Sequence, residues 1–223
     1  PPDIGSKEFA KALAETKLIG STDSVVRTAK QKLIARFWSD FSYTATPPGH
    51  WNQIAGSVAR LKKLGLHEKA RLFALLNYTL ADAGIAAFEA KYRYHLWRPV
   101  DAIRLAHEVP STARLRDKRW SSFLETPAHP EYVSGHSCYS GAGARLLALY
   151  FGTDSISFVA RSDGLPGVQR SFTSFSSCAE EIGKSRLYGG IHYDFSNRNG
   201  IDMGKKIADY AFRNLLPESL PNN

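Results

Sequence analysis

The sequence predicts an all-α protein, a helical bundle with its functional site in the bundle core. Three observations carry this reading. Apolar residues recur at steps of three and four along much of the chain, no apolar–polar alternation is convincing as a strand, and residues rich in Ser, Thr, Pro and Gly collect in a few connecting stretches. With 223 residues, 43% of them hydrophobic, the chain is long enough to bury a real core as a single helical domain over residues 1–223. No repeat, low-complexity tract or linker divides it.

The first helix start is Thr28 with Gln31, the spacing of a capping box, followed by Leu33, Ile34, Phe37 and Trp38. A loop is expected at Thr44 to His50. The longest periodic segment spans residues 67–96, where Leu72, Leu76, Leu80, Ala83, Ala87 and Lys91 form one stripe. Phe73, Leu75, Ile85 and Phe88 flank it, which predicts a central helix covered on most sides. Lys91 continues the apolar stripe, so it needs an anionic partner unless its stem reaches water. Arg98 follows seven residues later, near the same face if the helix persists, and Pro99 suits the opening of the next helix.

A second loop is expected from Val109 to Val133. It feeds Ser134-Gly135-His136 into a helix over residues 137–151 that is crowded with small side chains and stopped by Gly152. A third loop is expected from Ser162 to Ser176. Ser177 with Glu180 gives another capping-box spacing ahead of Ile182 and Leu187, and Gly189-Gly190 can break that helix so that Arg186 and His192 converge. A last helix is read over roughly 201–215, through Ile207, Tyr210, Ala211 and Leu215, before Pro217.

Composition narrows the function. A net charge of +8 favours anionic partners without choosing among nucleic acid, lipid head groups and small anions. A non-catalytic basic module for nucleic acid or a membrane surface is the reading from another class, but no recognised nucleic-acid motif or aromatic stacking platform supports it, so no nucleic-acid partner is expected. No apolar run approaches the ~20 residues of a membrane span. A soluble protein is expected, and because the chain does not start with Met, export to the periplasm or medium after loss of an upstream signal stays open. Cys138 and Cys178 read as small core residues.

There is no Gly-rich phosphate loop ending in Gly-Lys-Ser/Thr, no His-Glu-x-x-His, no Cys-x-x-Cys and no Gly-x-Ser-x-Gly. The seven histidines show no spacing typical of a metal cage, and no divalent metal is expected. Three segments remain: Lys91 to Pro99, Tyr132 to Ser137, and Ser185 to His192. Each has a bland explanation as a helix end, a cap or a turn. Together they supply three fixed cations, a helix N-terminus and two histidines, the set that a tetrahedral oxyanion such as phosphate or vanadate requires.

The order Lys91-x6-Arg98-Pro99, then Ser134-Gly135-His136, then Ser185-Arg186-x5-His192 resembles the superfamily that joins vanadium-dependent haloperoxidases, type-2 phosphatidic acid phosphatases and bacterial class A acid phosphatases. The words Phe37-Trp38, Thr46 to Trp51, Trp97 to Arg104 and Tyr188 to Tyr193 look like its soluble bacterial haloperoxidase-like branch. The resemblance implies that Lys91, Arg98, Arg186, Ser134 and Gly135 hold the oxyanion. It makes His192 the axial group, a ligand of the vanadium of vanadate or a nucleophile toward phosphorus, and His136 the acid–base partner.

The implied activity is a vanadate-dependent haloperoxidase that takes halide, hydrogen peroxide and a small organic acceptor. The alternative is an acid phosphatase that hydrolyses a phosphate ester through a phosphohistidine, with phosphate as the occupant. Related haloperoxidases are commonly larger, with two bundles, so this chain would be an active-site-bearing C-terminal portion, as a homodimer or with an N-terminal part. Two departures stand out. Val133 replaces the usual Pro before Ser-Gly-His, and Ser196 replaces the Asp that usually orients the axial histidine. Asp194 need not reach the same nitrogen, which leaves a backbone carbonyl or the Ser196 hydroxyl to set the tautomer.

Overall fold

Small side chains decide how the helices meet. In the computed structural model, which describes residues 1–216, α6 (Gly135–Phe151) buries Ser137, Ser140, Gly141, Ala142, Gly143 and Ala144, and packs against α4 (Leu66–Tyr94), α7 (Phe175–Tyr188) and α8 (Asp194–Asn214). Its contact with α8 is backbone to backbone. A Cβ on Gly141 would lie 2.2 Å from the Ile201 carbonyl oxygen, and one on Gly204 would lie 2.1 Å from that of Cys138. The other helices, α1 (Lys7–Gly20), α2 (Ala29–Phe37), α3 (Thr46–Leu61) and the short α5 (Pro99–Arg104), pack around this centre. Among the described residues no helix is long and apolar enough to cross a membrane.

The bundle is helical as expected, with one addition. Residues 158–161 (β1) and 169–172 (β2) pair antiparallel, Phe158 opposite Phe172 and Arg161 opposite Gln169. Four residues per strand give too few alternations for a period of two to register in the sequence, and β2 falls inside the stretch read as the third loop. Phe158 and Phe172, with ring centroids 5.6 Å apart, stack together at the edge of the core.

Several boundaries also move. Thr28 and Gln31 form the capping box, and Gly152 closes α6 in the left-handed conformation at φ 69°. The Thr44–His50 loop is shorter than read, because Pro47 and Pro48 sit in the first turn of α3, where a missing N–H costs nothing. Ser174, not Ser177, caps α7. Its hydroxyl accepts from the Ser177 amide, so Ser177 lies inside the first turn and the Ser177–Glu180 box does not form. The last helix begins at Asp194, seven residues before the apolar period announces it, and Pro217 lies outside the described residues.

Helix α4 is less enclosed than its composition implies: Leu75 is buried, whereas Ile85 is 70% exposed and Phe88 41%. Only one stripe is covered, and the more enclosed helix is α6, on which Arg145 alone is exposed. Cys138 and Cys178 are free and buried.

The Gly204→Ala variant should lower stability by about 1–3 kcal/mol in urea denaturation, because the added methyl meets peptide groups that cannot rotate aside. An unchanged midpoint would show that α6 and α8 do not meet backbone to backbone.

Candidate active site

The first two cations reach the site from separate elements. Helix α4 stops at Tyr94 with His95 in a left-handed cap at φ 46°, so Lys91 and Arg98 do not share a helix face. Arg98 is the N-cap residue of α5, and Pro99 opens that helix as the sequence implied. Lys91 is fully buried. Its ammonium donates to the carbonyls of Pro130 (3.0 Å), Glu131 (2.9 Å) and Val133 (2.6 Å), which fixes the segment leading into α6.

That segment ends at Ser134, the N-cap of α6. Its Oγ accepts from the Ser137 amide (3.4 Å) and lies 3.0 Å from the Ser137 hydroxyl, which also reaches Asn197 Oδ1 at 3.0 Å. Gly135 occupies the first helical position, where the amide has no partner within the helix, and a Cβ there would meet nothing within 4 Å. His136 is partly exposed. Its Nε2 lies 3.2 Å from the Ser39 carbonyl oxygen and 3.3 Å from Arg186 Nη1.

The third cation depends on a tight turn. Helix α7 ends at Tyr188 with Gly189 as its cap, and Gly190 at φ +74° turns the chain where a Cβ would lie 2.2 Å from the Gly20 carbonyl oxygen, a place only glycine fits. Arg186, on the last turn of α7, and His192, just past the break, are thereby both directed into the core. Arg186 donates to Ser185 Oγ (2.9 Å), to the carbonyl of Trp38 (2.5 Å) and more weakly to that of Ala35 (3.4 Å). These carbonyls belong to the C-terminal end of α2, whose dipole favours a cation. Arg98 donates to the Ile191 carbonyl (2.7 Å) and lies 3.1 Å from His192 Nε2, while its Nε holds the His129 carbonyl at 2.9 Å.

Glu131, His129 and Ser39 were not foreseen. Asp194 forms a surface pair with Arg198 (2.8 Å) and takes no part. The partner of His192 Nδ1 is neither a backbone carbonyl nor Ser196 but Glu131 Oε1, at 2.7 Å. An acidic residue just ahead of Ser-Gly-His was the available signal, and it becomes informative only beside the missing Asp at position 196. His129 approaches Arg98 Nη2 through Nδ1 at 3.1 Å, and no pattern in the sequence marked it.

The electrostatics follow from burial. Lys91, Arg98 and Arg186 are all at most 4% exposed; Lys91 and Arg98 face the fully buried carboxylate of Glu131, whereas the carboxylate that acts on Arg186 is Asp40. Burial, then Arg98, lowers the Lys91 ammonium, and burial brings both arginines down to about 10. His136 and His192 sit well below the usual imidazole range. Burial is the main cause in both, followed by Arg186 for His136 and by Arg98, Lys91 and Arg186 for His192. Burial raises the Glu131 carboxyl against the pull of Arg98 and Lys91. Such a cluster carries more positive charge than its carboxylates offset, and an anion that entered would favour the charged form of all three. With donors on several sides, an open face at Gly135 and a helix N-terminus, the residues fit a tetrahedral oxyanion.

A family described as the VCPO second helical-bundle domain matches residues 71–217. The chain is 26% identical over 152 residues to vanadium chloroperoxidase of Curvularia inaequalis, covering 58% of this chain and 24% of that protein. The crystal structure of a bacterial vanadium-dependent iodoperoxidase superposes with a TM-score of 0.82 at 31% identity, covering 97% of this chain and 51% of that one. A holo-type bacterial vanadium-dependent chloroperoxidase shares the fold, with a TM-score of 0.73 at 21% identity over 95% of this chain and 48% of its own. The chain thus spans about half the length, or less, of these relatives.

Sulfate, a dianion throughout, isolates the protein's own protons in a binding experiment. An anion prefers protonated Lys91, so affinity should be full below the lowered Lys91 pKa and fall as pH rises through it, by up to about tenfold per unit between about pH 6 and 9. The Lys91→Met variant should bind more weakly and show a shallower slope, the remainder coming from Glu131, which burial raises to about 7. Calorimetry that finds wild-type affinity independent of pH over this range would contradict the assignment.

Proposed function

The chain belongs to the family of the VCPO second helical-bundle domain, and from that premise we propose that it binds vanadate and oxidises halide with hydrogen peroxide. The observation that carries the reading is the set of three buried cations, incompletely neutralised, placed around the His192 ring and the α6 N-terminus. Vanadate has the charge and tetrahedral shape that this donor set suits, and its metal accepts a further nitrogen ligand. When bound, it supplies the Lewis-acidic centre at which hydrogen peroxide becomes reactive toward halide.

The protein's part is to hold, orient and move protons. Arg98 and Arg186 offer planar forks for the oxygen atoms, and Lys91 adds charge next to them. The Ser134 hydroxyl and Gly135 amide would fix orientation, and His192 Nε2, held by Arg98 in the free protein, would be the nitrogen offered to the central atom. His136 is neutral at pH 7 because burial and Arg186 depress it, so it can accept a proton from hydrogen peroxide and return it to a leaving oxygen. Its partial exposure permits exchange of that proton with water. A cleft of about 400 Å³ lined by His95, Trp97, Arg98, Thr126 and His129 touches the site at Arg98 and is the proposed approach for halide and a small organic acceptor.

A second reading, an acid phosphatase, draws on one observation: His192 presents Nε2 toward the arginine that would hold the anion, as a nucleophile toward phosphorus would.

Purified protein reconstituted with vanadate should halogenate a phenol-type dye in a vanadate-dependent manner. His136→Ala should reduce turnover by roughly 10²–10⁴-fold while vanadate binding persists. Absence of vanadate-dependent turnover with chloride, bromide and iodide would remove the haloperoxidase reading. Phosphate-ester hydrolysis without vanadate, lost in His192→Ala, would establish the phosphatase in its place.

A further inference from the structure

We propose that Glu131 is the positioning residue for His192, supplying from the loop before α6 the orienting carboxylate that position 196 on α8 lacks. The argument begins with an arginine. A guanidinium has no acceptor, so Arg98 Nη1 at 3.1 Å requires a lone pair on His192 Nε2. A neutral ring then carries its proton on Nδ1, where Glu131 Oε1 accepts it at 2.7 Å. Arg98 and Glu131 thereby select one tautomer from opposite sides of the ring, and it is the one that presents Nε2 to an anion.

Glu131 suits this task because it is held at every point. Its amide donates to the Leu96 carbonyl (3.0 Å), its own carbonyl accepts from Lys91 (2.9 Å), and Oε1 also accepts the Tyr193 amide (3.1 Å). A fixed acceptor is what turns a hydrogen bond into an orienting device.

The remaining oxygen explains position 196. Glu131 Oε2 and Ser196 Oγ are both buried and neither completes a hydrogen bond, yet the Ser196 hydroxyl acts favourably on the Glu131 carboxylate. Ser196 is fully buried beneath the same loop, and its carbonyl accepts from the Ser134 amide at 3.4 Å. An aspartate at 196 would place a second carboxylate beside the first, away from water, where like charges repel strongly. The two positions are therefore coupled: a carboxylate at one calls for a small or neutral residue at the other.

The test combines nitrogen NMR of the histidines in the free protein with calorimetric binding of inorganic phosphate. Only the binding arm rests on the oxyanion reading of the site. Wild-type and Glu131→Gln proteins should show His192 protonated at Nδ1, because the amide oxygen still accepts. Glu131→Ala should show substantial Nε2 protonation and bind phosphate about 10–100-fold more weakly. Ser196→Asp alone should weaken binding, yet added to Glu131→Ala it should restore both tautomer and affinity to within about threefold of wild type.

An unaltered tautomer and affinity in Glu131→Ala would overturn the proposal. So would additive losses in the double variant. If the alanine variant does not fold, Ser196→Asp is compared in the wild-type and Glu131→Gln backgrounds: a smaller loss of binding beside the neutral glutamine supports the coupling, and an equal loss in both refutes it. A wild-type protein that binds no phosphate but shows the Glu131-dependent tautomer would count against the oxyanion reading and leave the role of Glu131 intact.

Discussion

The organisation of this protein rests on burying three cations around one histidine. Charged side chains leave water at a cost of several kcal/mol each unless they are paired or hydrogen-bonded, and here carboxylates are fewer than cations: buried Glu131 serves Lys91 and Arg98, and Asp40 acts on Arg186. The rest of the compensation comes from main-chain carbonyls: three for Lys91, those of His129 and Ile191 for Arg98, and the C-terminal end of α2 for Arg186. Neutral dipoles hold the cations in place without cancelling their charge. The site thus retains a positive field while its geometry is fixed, the condition for binding a multivalent anion in one orientation.

Two backbone features make that arrangement possible. The loop from Pro130 to Val133, held by Lys91, delivers Ser134 to the N-terminus of α6, where cap, open amide and helix dipole coincide. The turn at Gly190, packed against Gly20, reverses the chain so that Arg186 and His192 enter the core from either side of it. The close approach of α6 and α8 brings these segments together, since α8 starts immediately after His192 and its Ser196 carbonyl accepts the Ser134 amide. Packing and site therefore depend on the same few small residues.

Much of this was legible in the residues. The seven proposed site residues could be named because three segments, each bland alone, jointly supply cations, a helix N-terminus and histidines in the order of the superfamily they resemble. The helical class followed from a strong period over long segments. Less legible were features set by tertiary contact. The β1–β2 hairpin has too few residues to show a period, and the start of α8 is largely polar because Ser196 and Asn197 are buried against the start of α6 while Asp194 pairs with Arg198 at the surface. The left-handed cap at His95, a residue that is not glycine, gave no warning that Lys91 and Arg98 belong to different elements. Glu131 is the instructive omission. Its role depends on a neighbour 61 positions away, and no local pattern records that distance.

The central claim is that the excess charge around His192 is matched by one tetrahedral oxyanion of vanadium. An anomalous-scattering map of crystals grown with vanadate tests it most directly. The account predicts a single vanadium peak within bonding distance of His192 Nε2, its oxygen atoms facing Arg98, Arg186 and the Gly135 amide. A peak bound elsewhere, or an ordered site with no vanadium at saturating vanadate, would contradict it.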